Sequence, residues 1–307
     1  MARPHKGQHK VPRIYLEAFT DESGYFWVGN NQLKIYRDKP HNVLTEKDYY
    51  TIRFPAGGGT LTIETKFLGG IETAYADVYR SKLKTRQQLN DKEKAIMAVF
   101  LASMLERSPR RREAMQQLFK DVTAKVTQMQ AAIDAMSAEE YEKFERMSAL
   151  IGPDDRDNSM PADEFIELGK DVPSVHSSEI PHVVSFTAPI LYDMKWGFMT
   201  REEDTDPFMT SDSPAVITNP SLPPNSFWGP GLMQEEVEVT IPLSPDLALL
   251  ASWQLQHELL YTPIDAALVN ELNRRLRRQS SILICNDRSA LERQAERVKR
   301  FLESKHA

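Results

Sequence analysis

The sequence predicts an α+β fold in which strand-rich regions near both ends flank a central helical region that includes a long helical hairpin. Three observations lead there. Aromatic and β-branched runs bounded by turn residues lie before residue 60 and again after residue 190. Between them, apolar residues recur at spacings of three and four, as on one face of a helix. Strands and helices do not alternate regularly, which disfavours a doubly wound nucleotide fold.

Taken in order, Tyr25–Val28 and Leu33–Tyr36 flank the turn-forming Gly29-Asn30-Asn31, a hairpin pattern. Pro55-Ala-Gly-Gly-Gly59 and Gly69-Gly70 punctuate the chain, and helix is expected from Ile71. Glu93–Leu105 is apolar around most of its circumference and is expected to be a buried helix. Met115, Leu118, Val122, Val126, Met129, Ile133 and Met136 then trace one long helix. Ser137-Ala-Glu-Glu140 has the form of a capping box and starts a partner helix ending near Leu150. Gly152–Pro161 is polar and breaker-rich, so residues 152–163 are expected to be a loop or linker. Strands are expected at Ile190–Met199, Phe208–Ile217, Glu236–Ile241 and Leu247–Trp253. An amphipathic helix at Pro263–Arg278, a buried strand at Ser281–Cys285 and a helix at Ser289–Glu303, capped by Asp287, complete the reading. The sub-regions are thus 1–70, strand-rich; 71–151, helical; 152–163, linker; and 164–307, strand-rich with C-terminal helices.

A chain of 307 residues buries a substantial core without covalent staples. Its single cysteine, Cys285, sits in the apolar run Ile282–Cys285, as a buried strand residue would. One cysteine in this length favours a reducing, cytoplasmic compartment. The sequence carries neither a signal-peptide pattern at its start nor about 18 consecutive apolar residues for a membrane span. A formal net charge of −6 argues against a wholly electrostatic nucleic-acid binder. Two basic patches remain: Arg3, Lys6, Lys10 and Arg13, and the run Arg274, Arg275, Arg277 and Arg278. Such runs are most often solvated faces.

The stretch Gln8-His-Lys-Val-Pro-Arg-Ile-Tyr-Leu-Glu-Ala-Phe19 carries a His-x-Val-Pro-x-x-Tyr-Leu-x-x-Phe pattern. Asn42-Val43 with Lys47–Tyr50, the pairs Ile63-Glu64 and Ile71-Glu72, Arg107-Ser108-Pro109, Phe208–Pro214, Pro242–Pro245, and Asn270 with Asn273 follow it. In that order the chain resembles the domain of unknown function 4238 family. The resemblance implies one family-like domain over 1–307, and it carries no activity.

Several residues fit chemistry as well as packing. His9 suits a general base, a metal ligand or a phosphate contact, or a structural imidazole on a nearby carbonyl. Asp212 follows the apolar end of a strand, where a ligand or base is held by the sheet, or where an Asx turn closes the strand. Glu64 and Glu72 are separated by Gly69-Gly70. If the chain folds back there, they converge with Asp212 or His9 on a divalent metal such as Mg; otherwise Glu72 sits in the first turn of a helix. In Arg107-Ser-Pro-Arg-Arg-Arg112, Ser108 is a good N-cap and Pro109 a good first helical residue. Arginines in a first turn oppose the helix dipole unless acidic neighbours or a bound anion offset them. Phosphate loops, His-Glu-x-x-His, paired Cys-x-x-Cys, nucleophile elbows and dinucleotide fingerprints are absent from the sequence. The leading expectation is an enzyme acting on a phosphate-bearing substrate, nucleic acid or nucleotide. Arg107, Arg110 and Arg111 would position phosphate, His9 would be the acid/base group, and Asp212 with Glu72 would orient it or bind metal. The alternative is a non-catalytic protein- or nucleic-acid-binding module that uses the helical hairpin.

Overall fold

A computed structural model describes residues 7–31, 34–54, 57–151, 162–223 and 229–306. Strand β1 (Gln8–His9) leads into one helical turn, α1 (Arg13–Leu16). Tyr15, Leu16 and Phe19 are fully buried. Tyr15 Oη donates to the Pro242 carbonyl at 2.6 Å and lies 2.9 Å from Thr210 Oγ1, tying the N-terminal segment to distant strands. β2 (Phe26–Asn30) and β3 (Ile35–Asp38) form the expected hairpin, with Gly29 opposite Ile35; Leu33 lies outside the described residues. β4 (Thr45–Glu46) pairs with β1, and β5 (Ile52–Arg53) pairs with β6 (Gly59–Thr60). The glycine cluster turns this second hairpin. Gly57 and Gly58 have φ of +91° and +83°, and a Cβ on Gly59 would meet the Ile52 carbonyl at 2.7 Å.

Helix begins at Ile63, not at the expected Ile71. Wide i→i+5 turns over Ile63–Leu68 run into α2 (Gly69–Val78), and a further set covers Tyr79–Leu83. Gly69 and Gly70 therefore lie inside a helical segment. A Cβ at Gly69 would approach the Glu64 carbonyl to 3.3 Å, so the small residue accommodates the widened turn. The chain does not fold back between Glu64 and Glu72.

α3 (Asp91–Glu106) starts at a capping box of Asn90 and Glu93 and is mostly buried, as its all-round apolar character predicts. α4 (Pro109–Asp134) is capped by Ser108, whose Oγ accepts from Arg111 N at 3.2 Å. α5 (Ala138–Ile151) starts at the expected box, where Glu140 accepts from Ser137 N at 2.8 Å. Side chains from Ser137 to Leu150 are all exposed. Residues 152–161 of the expected linker lie outside the described residues; α6 (Ala162–Leu168) follows them.

α7 (Val172–Asp193) corrects the expectation of a strand from Ile190. Pro173 is tolerated in its first turn, but Pro181 and Pro189 lie inside it, and interior proline is the strongest sequence signal against helix. Tertiary burial overrides that cost. His176, Ile180, Val184 and Ala188 are buried at intervals of four, along the face that packs against α3.

The remaining elements are β7 (Lys195–Arg201), β8 (Thr210–Ser211), β9 (Val216–Thr218), β10 (Glu238–Ser244), β11 (Leu247–Ser252), β12 (Tyr261–Ile264), α8 (Ala266–Gln279), β13 (Ile282–Cys285) and α9 (Arg288–His306). α8 starts after Asp265, which accepts from Leu268 N at 2.9 Å; Pro263, expected to open this helix, lies in β12 at the sheet edge.

Strands lie at both ends of the chain with helices between them, in two larger sheets. One has the order β12-β7-β11-β10-β9 and comes from the C-terminal half. The other, β3-β2-β13-β8, places β13 between β8 and the N-terminal hairpin. The two strand-rich regions thus share a sheet. Trp196, Phe198, Tyr75 and Phe100 are buried in one contiguous core, where Tyr75 and Phe100 stack at 3.7 Å between centroids. Burying a side chain such as Phe198 stabilises by about 1.5–3 kcal/mol. Cys285 is buried within this arrangement, which pushes its thiol up to about 12. Among the described residues, no helix is long and apolar enough to cross a membrane.

Candidate functional site

Arg107 occupies the corner between α3 and α4, and its side chain is 3% exposed. Its Nε donates to Tyr50 Oη at 2.9 Å, Nη1 to Glu72 Oε1 at 2.8 Å and Nη2 to the His9 carbonyl at 2.7 Å. Gln8 extends this hub, donating to Glu64 at 2.8 Å and accepting from Tyr50 N at 2.5 Å. His9, Glu64, Glu72 and Arg107 are therefore drawn to one place, around β1 and Tyr50. The fork of Arg107 faces inward and joins three segments distant in sequence.

The His9 ring lies with Nε2 3.3 Å from the Pro40 carbonyl. Burial lowers its pKa, and the Pro40 carbonyl and Glu72 only partly offset this, so the imidazole is neutral at pH 7. A second buried cluster adjoins. Arg112 lies 3.4 Å over the Tyr49 ring and donates to the Tyr49 carbonyl, while His176 Nε2 contacts the Glu106 carbonyl at 2.9 Å. Burial, then Arg112, drives His176 down to about 4. Its Nδ1 and Arg112 Nε are buried without a hydrogen-bond partner among the described residues.

Asp212 sits just after β8, and Ser281 N reaches its two carboxylate oxygens at 3.1 and 3.3 Å. Burial raises its pKa to about 6, against backbone N–H groups and Lys10, which favour the charged form. It is thus a buried carboxylate whose charged form is favoured first by backbone N–H groups, Ser281 N among them, and then by Lys10. Asp212 does not join the Arg107 hub. Among the described residues, no three His, Cys, Asp or Glu side chains are grouped to hold a metal ion, so Glu64, Glu72 and Asp212 form no such cluster.

Arg110 and Arg111 are exposed and open onto a cleft of about 370 Å³ at the start of α4, lined also by Glu106, Ser108, Ser213 and Gln279. Arg111 Nε pairs with Glu106 at 3.0 Å; Arg110 has no ion pair among the described residues. Burial raises the pKa of Glu106 despite Arg111. Gln279 closes one wall by donating to the Ser213 and Ala215 carbonyls at 2.6 and 2.8 Å. Sequence reasoning misses Glu106 and Gln279 as cleft residues. Glu106 adjoins the Arg107-Ser108-Pro109 motif, but nothing local marks Gln279, which reaches the cleft only through the packing of α8.

Residues 7–289 match the family described as Protein of unknown function (DUF4238). The segments from Gln8 to Asn273 that carry the resemblance all fall inside that span. Neither a curated protein nor a solved structure matches the chain.

Proposed function

We propose, for a chain that belongs to the DUF4238 family of proteins of unknown function, that it binds a phosphate-bearing ligand, a nucleotide or a nucleic-acid strand, in the cleft at the start of α4. The observation that carries this reading is Arg110, without an ion pair among the described residues, beside Arg111 in that cleft and over a helix N-terminus. The helix dipole attracts an anion there, and guanidinium groups add bidentate hydrogen bonds. Without an anion, arginines in a first turn cost roughly 0.3–1 kcal/mol each at an exposed site. In this reading Arg107 positions the corner from which the helix springs and does not touch the ligand. Glu106, the cleft carboxylate with a raised pKa, takes the acid/base role in place of His9, whose ring is directed at Pro40.

A thermal-shift panel with nucleotides and short oligonucleotides tests the proposal. A phosphate-bearing ligand is expected to raise Tm in proportion to the logarithm of its concentration. Arg110→Ala should weaken binding about tenfold or more while leaving the ligand-free Tm within about 2 °C, because surface substitutions cost little. No shift in the wild type, or an equal shift in the variant, would remove the reading.

A second reading rests on a different observation. Tyr141, Phe144, Met147 and Leu150 recur every three residues on α5, and all are exposed. Leu118 and Met129 of α4 are exposed too. Such an apolar stripe is what a non-catalytic, partner-binding helical arm would present. A photo-crosslinking residue at position 147 is expected to trap a partner of defined mass, while one at the polar position 143 traps none. Equal labelling at the two positions rejects the arm.

A further inference from the structure

The arginine run near the C-terminus reads from sequence as a solvated face, and helix electrostatics explains part of it. Cations in the last turn of α8 are favourable there. Packing of α8 against α9 adds something this cannot explain. Asn270, Arg274, Arg277 and Arg278 fall on one side of α8, facing Gln294 and Arg297 of α9 across a pocket of about 450 Å³. That volume is in the range of small-molecule sites.

Two side chains in the pocket lack partners where partners are expected. Gln294 is 5% exposed, and its buried Nε2 donates to nothing among the described residues. A buried amide left unpaired costs about 1–3 kcal/mol, so native structures rarely keep one without a use. Arg277 is half-buried and has no ion pair among the described residues; the Asp212 charge only partly offsets its burial. The other groups are oriented. Glu271 bridges Arg274 and Arg275, and Arg297 donates to Asn270 Oδ1 at 2.5 Å.

We propose that the pocket between α8 and α9 is an anion site for a small polyphosphate, with Arg277, Arg278 and Arg297 as its cationic contacts and Gln294 Nε2 as its buried donor. The charge balance selects the class. Among the described residues of the lining, four arginines against Glu271 leave a net +3 (4 − 1). One phosphate group brings only about −1.5 to −2, so two or more linked groups match the wall better than one. Arginine forks hold such oxygens bidentately. Among the described residues the lining contains no aromatic side chain to stack a base, so the proposal rests recognition on the phosphate chain, whether it is inorganic pyrophosphate or that of a nucleotide. The site shares no lining residue with the cleft at α4.

Isothermal titration of the full chain with inorganic pyrophosphate, orthophosphate and ADP tests this. At the pocket between α8 and α9, pyrophosphate and ADP are expected to bind with affinities within a few-fold of each other, and orthophosphate about tenfold or more weaker. Arg277→Gln and Gln294→Glu should each weaken pyrophosphate binding at least about tenfold, one by removing a fork and the other by placing a carboxylate in the pocket. Because those positions are partly or fully buried, the exposed pair Arg278→Gln/Arg297→Gln gives the same test without endangering the fold. Arg110→Ala should remove only binding at the cleft at α4 and leave the binding step that Arg278→Gln/Arg297→Gln abolishes, which separates the two sites. Absence of pyrophosphate binding at millimolar concentration, or its survival in Arg278→Gln/Arg297→Gln, would overturn the proposal. ADP bound far more tightly than pyrophosphate would replace the phosphate-chain reading with base recognition.

Discussion

Replacing Arg107 by methionine is expected to destabilise the protein by about 3 kcal/mol, the lower end of what removing one partner of a buried ion pair costs. The substitution removes the donors to Tyr50 Oη, Glu72 and the His9 carbonyl at once. Glu72 is 28% exposed and can draw water after the loss, which is why the lower end applies. Tyr50 Oη also keeps the Lys10 carbonyl within 3.2 Å. Arg107→Lys should fall between wild type and methionine, because an ammonium keeps the charge but cannot span three acceptors in a planar fork. Urea unfolding at constant m-value reads the change directly. A loss below about 1 kcal/mol would mean that the hub is not what fastens β1 to the corner of α3 and α4.

The second large effect depends on pH. Asp212 takes up its proton at about 6 in the fold, against 3.8 ordinarily. Between these values the native state holds a proton that the unfolded chain has released. Its stabilising contribution is therefore present below about pH 4 and is lost as pH rises through 6, by up to about 3 kcal/mol. His176 slopes the other way. With about 4 in the fold and 6.5 unfolded, it favours the native state above pH 6.5 and withdraws that contribution as pH falls towards 4. The two slopes oppose each other over the same window, so wild-type stability should change little there.

Asp212→Asn is expected to unmask the His176 slope. The introduced amide keeps an acceptor for Ser281 N and carries no charge, so the variant should match wild type near pH 4. By pH 7 it should be more stable by about 2–3 kcal/mol. Unfolding midpoints of both proteins at pH 4, 5, 6 and 7 provide the check, and a difference that stays constant with pH would refute it. A carboxylate that costs stability at neutral pH, beside Lys10 and Arg277, has the character of a group kept for its charge.

Local signals in the sequence proved dependable where the chain decides its own conformation within a few residues. Asn30 and its neighbours turn a hairpin, Ser137 and Glu140 start a helix, and Ser108-Pro109 start another, because capping and turn chemistry is local. α7 was hidden by Pro181 and Pro189, although its interval of four from His176 to Ala188 was present in the text. Gly69-Gly70 resembles a break because the crowding that Gly69 relieves comes from the widened turn before it, which no local pattern announces. The site was legible as a residue inventory but not as an orientation. Arg107 and Arg110 are three apart in sequence, yet one is enclosed and the other open, a distinction made by Tyr50 and Glu72, which belong to other elements. The pocket between α8 and α9 was legible only in part: the arginines were visible, whereas Gln294 needed the packing of a second helix to become relevant.

Pairing of β2 with β13 sets Trp27 opposite Cys285 and Asn30 opposite Ile282. On a ribosome adding about 5–20 residues per second, the N-terminal hairpin waits roughly 13–50 s before its neighbour strand is made. During that interval the edge of β2 is a free template for any extended chain nearby. Birth of this protein is thus expected to be its most vulnerable moment. A ribosome stalled before codon 282 should display the hairpin edge to chaperones and proteases, and release of the finished chain should bury it.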